Sequence, residues 1–197
     1  MTMIRIGNLV WLHLPRSGGT STAAAFRALR NHLPEHEQGE WQIDDCQLDL
    51  KHDNLRIREM RIGMSIQPAV VTMNIRPLSD WLYSNYKWAV AAGLQVPMER
   101  YQAGEFFSLR LGAWTPADWW LDYFGVTAET KFIRTTSLAA DLDQILSPYL
   151  PASVDFFSVV PHLNGLDGSS DFASGFATEL AVTRNPRWAS IESELFP

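Results

Sequence analysis

Cysteine is nearly missing from this chain. Cys46 is the only one in 197 residues, so no internal disulfide can form and a reducing, cytoplasmic setting is the expectation. Long apolar runs are missing too. Nothing approaches the ~20 residues that span a bilayer, and the apolar stretch ahead of Pro15-Arg16, about six residues, is short of the ~7–15 of a secretory core. Positive charge is not in excess: 16 Lys and Arg stand against 22 Asp and Glu, a net charge of −6. That excludes a broad nucleic-acid-binding face and makes a polyanionic acceptor unfavourable. There are no internal repeats and no low-complexity tract. What remains is a chain that is 46% apolar with eight tryptophans, a composition that excludes disorder and suits one α/β domain over residues 1–197.

The most informative stretch is Asn8 to Leu29. Leu9 to Leu14 is a short, mostly apolar run that meets Pro15 and Gly18-Gly19, as an interior strand would. From Thr20 onward Ala25, Phe26, Leu29 and Leu33 follow helical spacing. Glycines at the junction let the backbone curl and aim successive N–H groups at one point, at the positive end of the helix dipole. Arg16, Ser17, Thr20 and Ser21 add a cation and hydroxyl donors, so the segment reads as a phosphate-binding loop. The triphosphatase version of such a loop ends Gly-Lys-Ser/Thr, with lysine on the terminal phosphates and a hydroxyl on magnesium. Here Thr20 follows Gly19 and the cation precedes the glycines, which disfavours a metal-dependent ATPase.

A second stretch, Ala69 to Trp88, has the same organisation. Ala69 to Ile75 is rich in β-branched residues and predicts an interior strand. Arg76-Pro77 ends it, and Ser79 or Asp80 can cap a helix running through Trp88. Arg76 thus falls at the carboxyl end of a strand, where open α/β sheets bind ligands, and Ser84 falls within the following helix.

Pro15-Arg16-Ser17-Gly18-Gly19-Thr20-Ser21 resembles the 5′-phosphosulfate loop of the sulfotransferases, usually Pro-Lys-Thr-Gly-Gly-Thr-Ser. Those enzymes use 3′-phosphoadenosine 5′-phosphosulfate (PAPS). The eight-residue step from Arg76 to Ser84 resembles their 3′-phosphate motif, although Pro77 follows the arginine directly where the family has Arg-x-Pro. Pro161-His162-Leu163-Asn164 resembles the His-x-Asn segment of the carbohydrate-type members, which makes Asn164 a nucleotide contact. The family's next basic residue is missing there, and Arg184 or Arg187 is left to serve. The closing Glu192 to Phe196 resembles their terminal Asp-Tyr-Glu-Leu-Phe. The family's acidic pair ahead of a later helix is replaced by Thr135-Thr136-Ser137, where Thr136 or Ser137 can still cap that helix.

The resemblance implies a three-layer α/β sandwich with a mostly parallel central sheet, the P-loop-like sulfotransferase fold. It implies PAPS as donor, adenosine 3′,5′-bisphosphate (PAP) as product, no metal, and a small-molecule or carbohydrate acceptor carrying a hydroxyl or an amine. Arg16 takes the place of the family lysine at the leaving group. It keeps the charge but cannot act as an acid, because a guanidinium stays protonated at any accessible pH. His52 is the candidate base, since imidazole titrates near neutrality; Glu40, Glu37 and His36 are its alternatives. An ATP-dependent small-molecule kinase and a non-catalytic nucleotide-binding module remain the rival readings.

Elsewhere the pattern is plainer. Residues 31–47 read as a loop with a short strand near Trp41, and Pro34 between His32 and His36 spoils a helical metal pair. Residues 95–111 read as one or two helices with Tyr101, Phe106, Phe107 and Leu109 inward. Thr115-Pro116-Ala117-Asp118 reads as a helix start with the proline at its first position, and Gly125 as its stop. Lys131 to Thr135 predicts a third strand. Leu138, Leu142, Ile145, Leu146 and Leu150 mark the face of the next helix, and 151–174 is loop by composition.

Overall fold

The structure, a computed structural model, describes residues 3–43, 52–160 and 173–197. Two compact units alternate along the chain: Met1–Ile75 with Val126–Leu166, and Arg76–Gly125 with Asp167–Pro197.

The first unit is built on five strands: β1 (Met3–Ile6), β2 (Leu9–Leu12), β3 (Trp41–Ile43), β4 (Val70–Ile75) and β7 (Lys131–Arg134). Their order in the sheet is β3-β1-β2-β4-β7. β2 pairs in parallel with β4, and β4 with β7, as a strand–helix–strand crossover requires. β1 pairs antiparallel with both β2 and β3, so the sheet is mixed where the sequence predicted mostly parallel strands. The reason is local. Gly7, at φ 54°, and Asn8 make a two-residue turn, and so tight a connection can only join antiparallel neighbours.

Every residue of β2 is buried. Alternate strand positions Ile4, Ile6, Leu9, Trp11, Trp41 and Ile133 form one core cluster. The same cluster takes Ala25, Phe26 and Leu29 from α1 (Gly19–His32) and Leu138, Leu142 and Leu146 from α7 (Leu138–Leu146). It also takes Phe156 from α8 (Phe156–Val159). Asn74 shares this face in mid-sheet and is fully buried, yet satisfied. Trp11 Nε1 donates to its Oδ1 at 2.8 Å, and its Nδ2 donates to Thr22 Oγ1 at 2.8 Å. That relay fastens the first turn of α1 to the centre of the sheet. The short helices α2 (Glu35–Gln38) and α3 (Leu55–Ile62) complete the unit. Gly63, at φ 68°, caps α3 in the left-handed conformation that glycine tolerates best.

The second unit holds α4 (Leu78–Ala91), α5 (Met98–Gln102), α6 (Asp118–Phe124), α9 (Glu179–Arg184) and α10 (Pro186–Leu195). It also holds the hairpin β5 (Glu105–Ser108) and β6 (Ala113–Pro116). Its core is aromatic: Trp81 meets Trp188 at 5.0 Å and Phe106 edge-on at 5.2 Å. Three expectations change here. Phe106 and Phe107 lie in a strand, not a helix, and Leu109 is exposed. Pro116 closes β6 and α6 begins at Asp118, although Gly125 ends it at φ 66° as expected. Neither Ser79 nor Asp80 caps α4; Glu192, from α10, accepts the Leu78 N–H at 2.9 Å. Among the described residues no helix is long and apolar enough to cross a membrane.

Candidate functional site

Within the first unit, β2, β4 and β7 run in parallel, so their carboxyl ends share one edge of the sheet. The segment 13–18 leaves β2 at that edge and delivers the chain to α1. Two residues turn it in the left-handed region. Gly18 sits at φ 76° as the residue before α1, and Arg16, which has a side chain, sits at φ 61°. The left-handed conformation costs a non-glycine residue about 1–2 kcal/mol, so the Arg16 backbone is held by its surroundings. Ser17 is buried and donates weakly to the Pro15 carbonyl at 3.4 Å.

The two glycines have different reasons. A Cβ on Gly18 would lie 3.3 Å from the side chain of Thr135, the residue after β7. A Cβ on Gly19 would fall 1.9 Å from His13 Nε2, inside the imidazole. His13 is therefore packed directly on the first residue of α1. No acidic residue stands in the first turn of that helix. Its orphan N–H groups, with Thr20 exposed and Ser21 half-buried beside them, form an end suited to an anion. Partial burial lowers the Arg16 pKa, but a guanidinium stays charged at any accessible pH.

His52 comes to this loop from 39 residues away. Its Nδ1 lies 3.0 Å from the His13 carbonyl oxygen, and the two rings stand 4.8 Å apart at 51°. A carbonyl only accepts, so His52 donates from Nδ1, and the neutral ring then carries its lone pair on Nε2. Next to it Asp53, 1% exposed, takes the Arg61 guanidinium at 2.9 Å, and Asn54 caps α3 through the Ile57 N–H. The His52 segment is thereby anchored on both sides of the peptide that follows it.

Arg16, Ser17, Gly18, Gly19, Thr20, Ser21 and His52 thus belong to the first unit, and His13 joins them. Arg76 and Ser84 belong to the second. Arg76 is 7% exposed, and its carbonyl accepts from Trp188 Nε1 at 3.1 Å. Burial pushes the Asp80 carboxyl up from its ordinary value while the Arg76 charge pulls it down. Ser84 is half-buried in α4. Arg184 pairs with Glu105 at 3.1 Å and Arg187 pairs with Asp122. Asn164 and the whole of 161–165 lie outside the described residues. Of the alternative bases, His36 and Glu37 lie in α2, 3.6 Å apart, and Glu40 is exposed just after it.

Between β7 and α7, Thr135–Ser137 forms a single 3-10 turn, and Ser137 makes no side-chain cap. Asp141, one turn into α7, holds the end of β7 instead. It accepts the Arg134 backbone N–H at 2.7 Å and both Nε and Nη2 of the guanidinium at 3.0 and 2.7 Å. That pairing raises the Arg134 pKa. Among the described residues no group of three or more His, Cys, Asp or Glu side chains could hold a metal ion. No protein-family model, curated protein or solved structure matches the chain.

Proposed function

We propose that the protein is a sulfotransferase that moves a sulfuryl group from PAPS to a hydroxyl acceptor. The observation that carries this reading is the end of β2. There a left-handed Arg16, Gly18 at φ 76°, a Gly19 whose Cβ would strike His13 and the α1 N-terminus form an anion cradle, with His52 bonded to the loop through Nδ1. The residues present fit a 5′-phosphosulfate: backbone N–H groups, the Thr20 and Ser21 hydroxyls and one permanent cation, with no first-turn carboxylate to repel it. Bound there, PAPS supplies the sulfuryl group and, in PAP, the leaving group.

The chain's own residues do the rest. His52 Nε2 takes the proton of the acceptor hydroxyl as its oxygen bonds to sulfur. Arg16 and the α1 N–H groups neutralise the charge that collects on the 5′-phosphate oxygen as its bond to sulfur breaks. Arg16 does this by charge alone and delivers no proton. The resemblance gives Arg76 and Ser84 the 3′-phosphate, for which a guanidinium fork and a hydroxyl are the right chemistry.

Titration calorimetry with PAP and ATP tests the donor class. The native protein should bind PAP at least tenfold more tightly, and Arg76→Ala should erase that preference while both nucleotides still bind. Equal affinities in the native protein would exclude a 3′-phosphonucleotide site. Transfer of radiolabelled sulfate from PAPS to a panel of hydroxyl acceptors then separates an enzyme from a binding module.

A further inference from the structure

His13 lies in the apolar run just ahead of the sequence motif and has no role there, yet the structure packs it against the loop and the start of α1. His13 is 8% exposed, and its ring stacks on Trp11, at 5.4 Å between centroids and 19° between planes. Trp11 is itself fixed by the hydrogen bond from its Nε1 to Asn74. The opposite constraint is Gly19, against which the His13 ring lies so closely that no side chain could stand there. Two contacts to His52 rest on this clamped residue: the Nδ1–H to the His13 carbonyl at 3.0 Å and the ring contact at 4.8 Å.

We propose that His13 is a positioning residue for His52, holding that imidazole as the Nδ1–H tautomer so that Nε2 is its basic atom. The inference rests on the reading of His52 as the base. Its physical content is a rigid line, Asn74 to Trp11 to His13 to His52, from the middle of the sheet to the reacting nitrogen. The Nδ1–H tautomer is the reverse of the one free histidine prefers, and the His13 carbonyl is an acceptor that favours it. Removing the His13 ring opens a void beside Gly19 into which the His52 ring can turn, breaking its hydrogen bond to the carbonyl.

The test compares the native protein with His13→Ala and His13→Gln, the latter keeping a planar polar group of similar reach. Long-range proton–nitrogen NMR correlations, with His52→Gln used to assign the His52 signals, read the tautomer directly and need no acceptor. His52 should be Nδ1–H in the native protein, shift towards Nε2–H in His13→Ala, and return towards Nδ1–H in His13→Gln. In the transfer assay His13→Ala should lower kcat by about 10- to 100-fold, the usual effect of misplacing a reacting group, with KM for PAPS within twofold of native. A native His52 that carries its proton on Nε2 overturns the proposal, whether or not His13→Ala folds. So does a folded His13→Ala with native tautomer and kcat. If the tautomer shifts as stated but no protein transfers sulfate, the positioning role stands and the sulfotransferase reading falls.

Discussion

Arg16 holds its backbone at φ 61°, a conformation glycine would adopt without penalty, in a loop that already has two glycines. Strain of this kind persists where a side chain is wanted for something other than stability. Arg16→Gly should therefore be more stable than the native protein by about 0.5–1 kcal/mol, the relief of about 1–2 kcal/mol of left-handed strain less the extra freedom of an unfolded glycine. It should also bind PAP at least tenfold more weakly. Arg16→Ala should lose the same affinity and gain no stability, because a Cβ remains. Urea unfolding and calorimetry on the pair decide it; a glycine variant less stable than native would show that no strain is stored there. This loop was legible in the sequence because glycine, proline and the change of hydrophobic period all fall within a few residues. His13 was not, since it sits in an apolar run and its partners, Gly19 and His52, meet it only once the strand, turn and helix are in place.

At the scale of elements, the strands and helices with a clean period were readable: β2 into α1, β4 into α4, β7 into α7. The hairpin β5–β6 was not, because adjacent phenylalanines satisfy a helical face as well as a strand. The hairpin is bracketed by Gly104 at φ 85° and Gly112 at φ 64°, and the run between them is too short to show its period. Helix caps were misread for a related reason. Sequence reasoning looks for the cap next door, whereas the Leu78 N–H is met by Glu192, 114 residues on. That carboxylate makes a pH prediction. Burial pushes the Glu192 pKa up, the Leu78 N–H pulls it down, and the nearby Asp80 charge pushes it up again, for a net rise from 4.5. A carboxyl whose folded pKa lies above its unfolded value costs stability while ionised in both states. The cost is relieved as pH falls through the folded pKa towards 4.5. Glu192→Gln keeps an oxygen for the Leu78 N–H and removes the charge. It should exceed the native protein in stability at pH 7, and that advantage should shrink steadily down to the ordinary carboxylate range. Paired denaturant titrations across this range measure the difference directly; an advantage that widened on acidification would reverse the sign of the argument.

For the molecule as a whole, the mixed sheet and the charge are the two features that local pattern does not govern. The pairing of β1 with both β2 and β3 depends on which edges meet, and only the Gly7-Asn8 turn hints at it in the sequence. The charge, by contrast, can be counted: −6 over 197 residues, on a protein proposed to bind a multiply anionic nucleotide. The far field therefore opposes the ligand that the loop attracts. Salt screens these two contributions differently. At 10 mM the Debye length is about 30 Å and the whole-molecule repulsion acts on an approaching nucleotide; at 150 mM it is about 8 Å and mainly the loop is felt. The association rate of a fluorescent PAP analogue, followed by stopped flow, should thus rise between those concentrations and fall only at higher salt, as the contacts of Arg16 and the α1 N-terminus are screened in turn. A basic binding face gives the opposite profile, steepest at low salt and falling throughout. Observing such a monotonic fall would mean that a local positive field around the loop outweighs the net charge from the start, and Arg16→Ala, measured over the same range, should then remove most of the salt dependence.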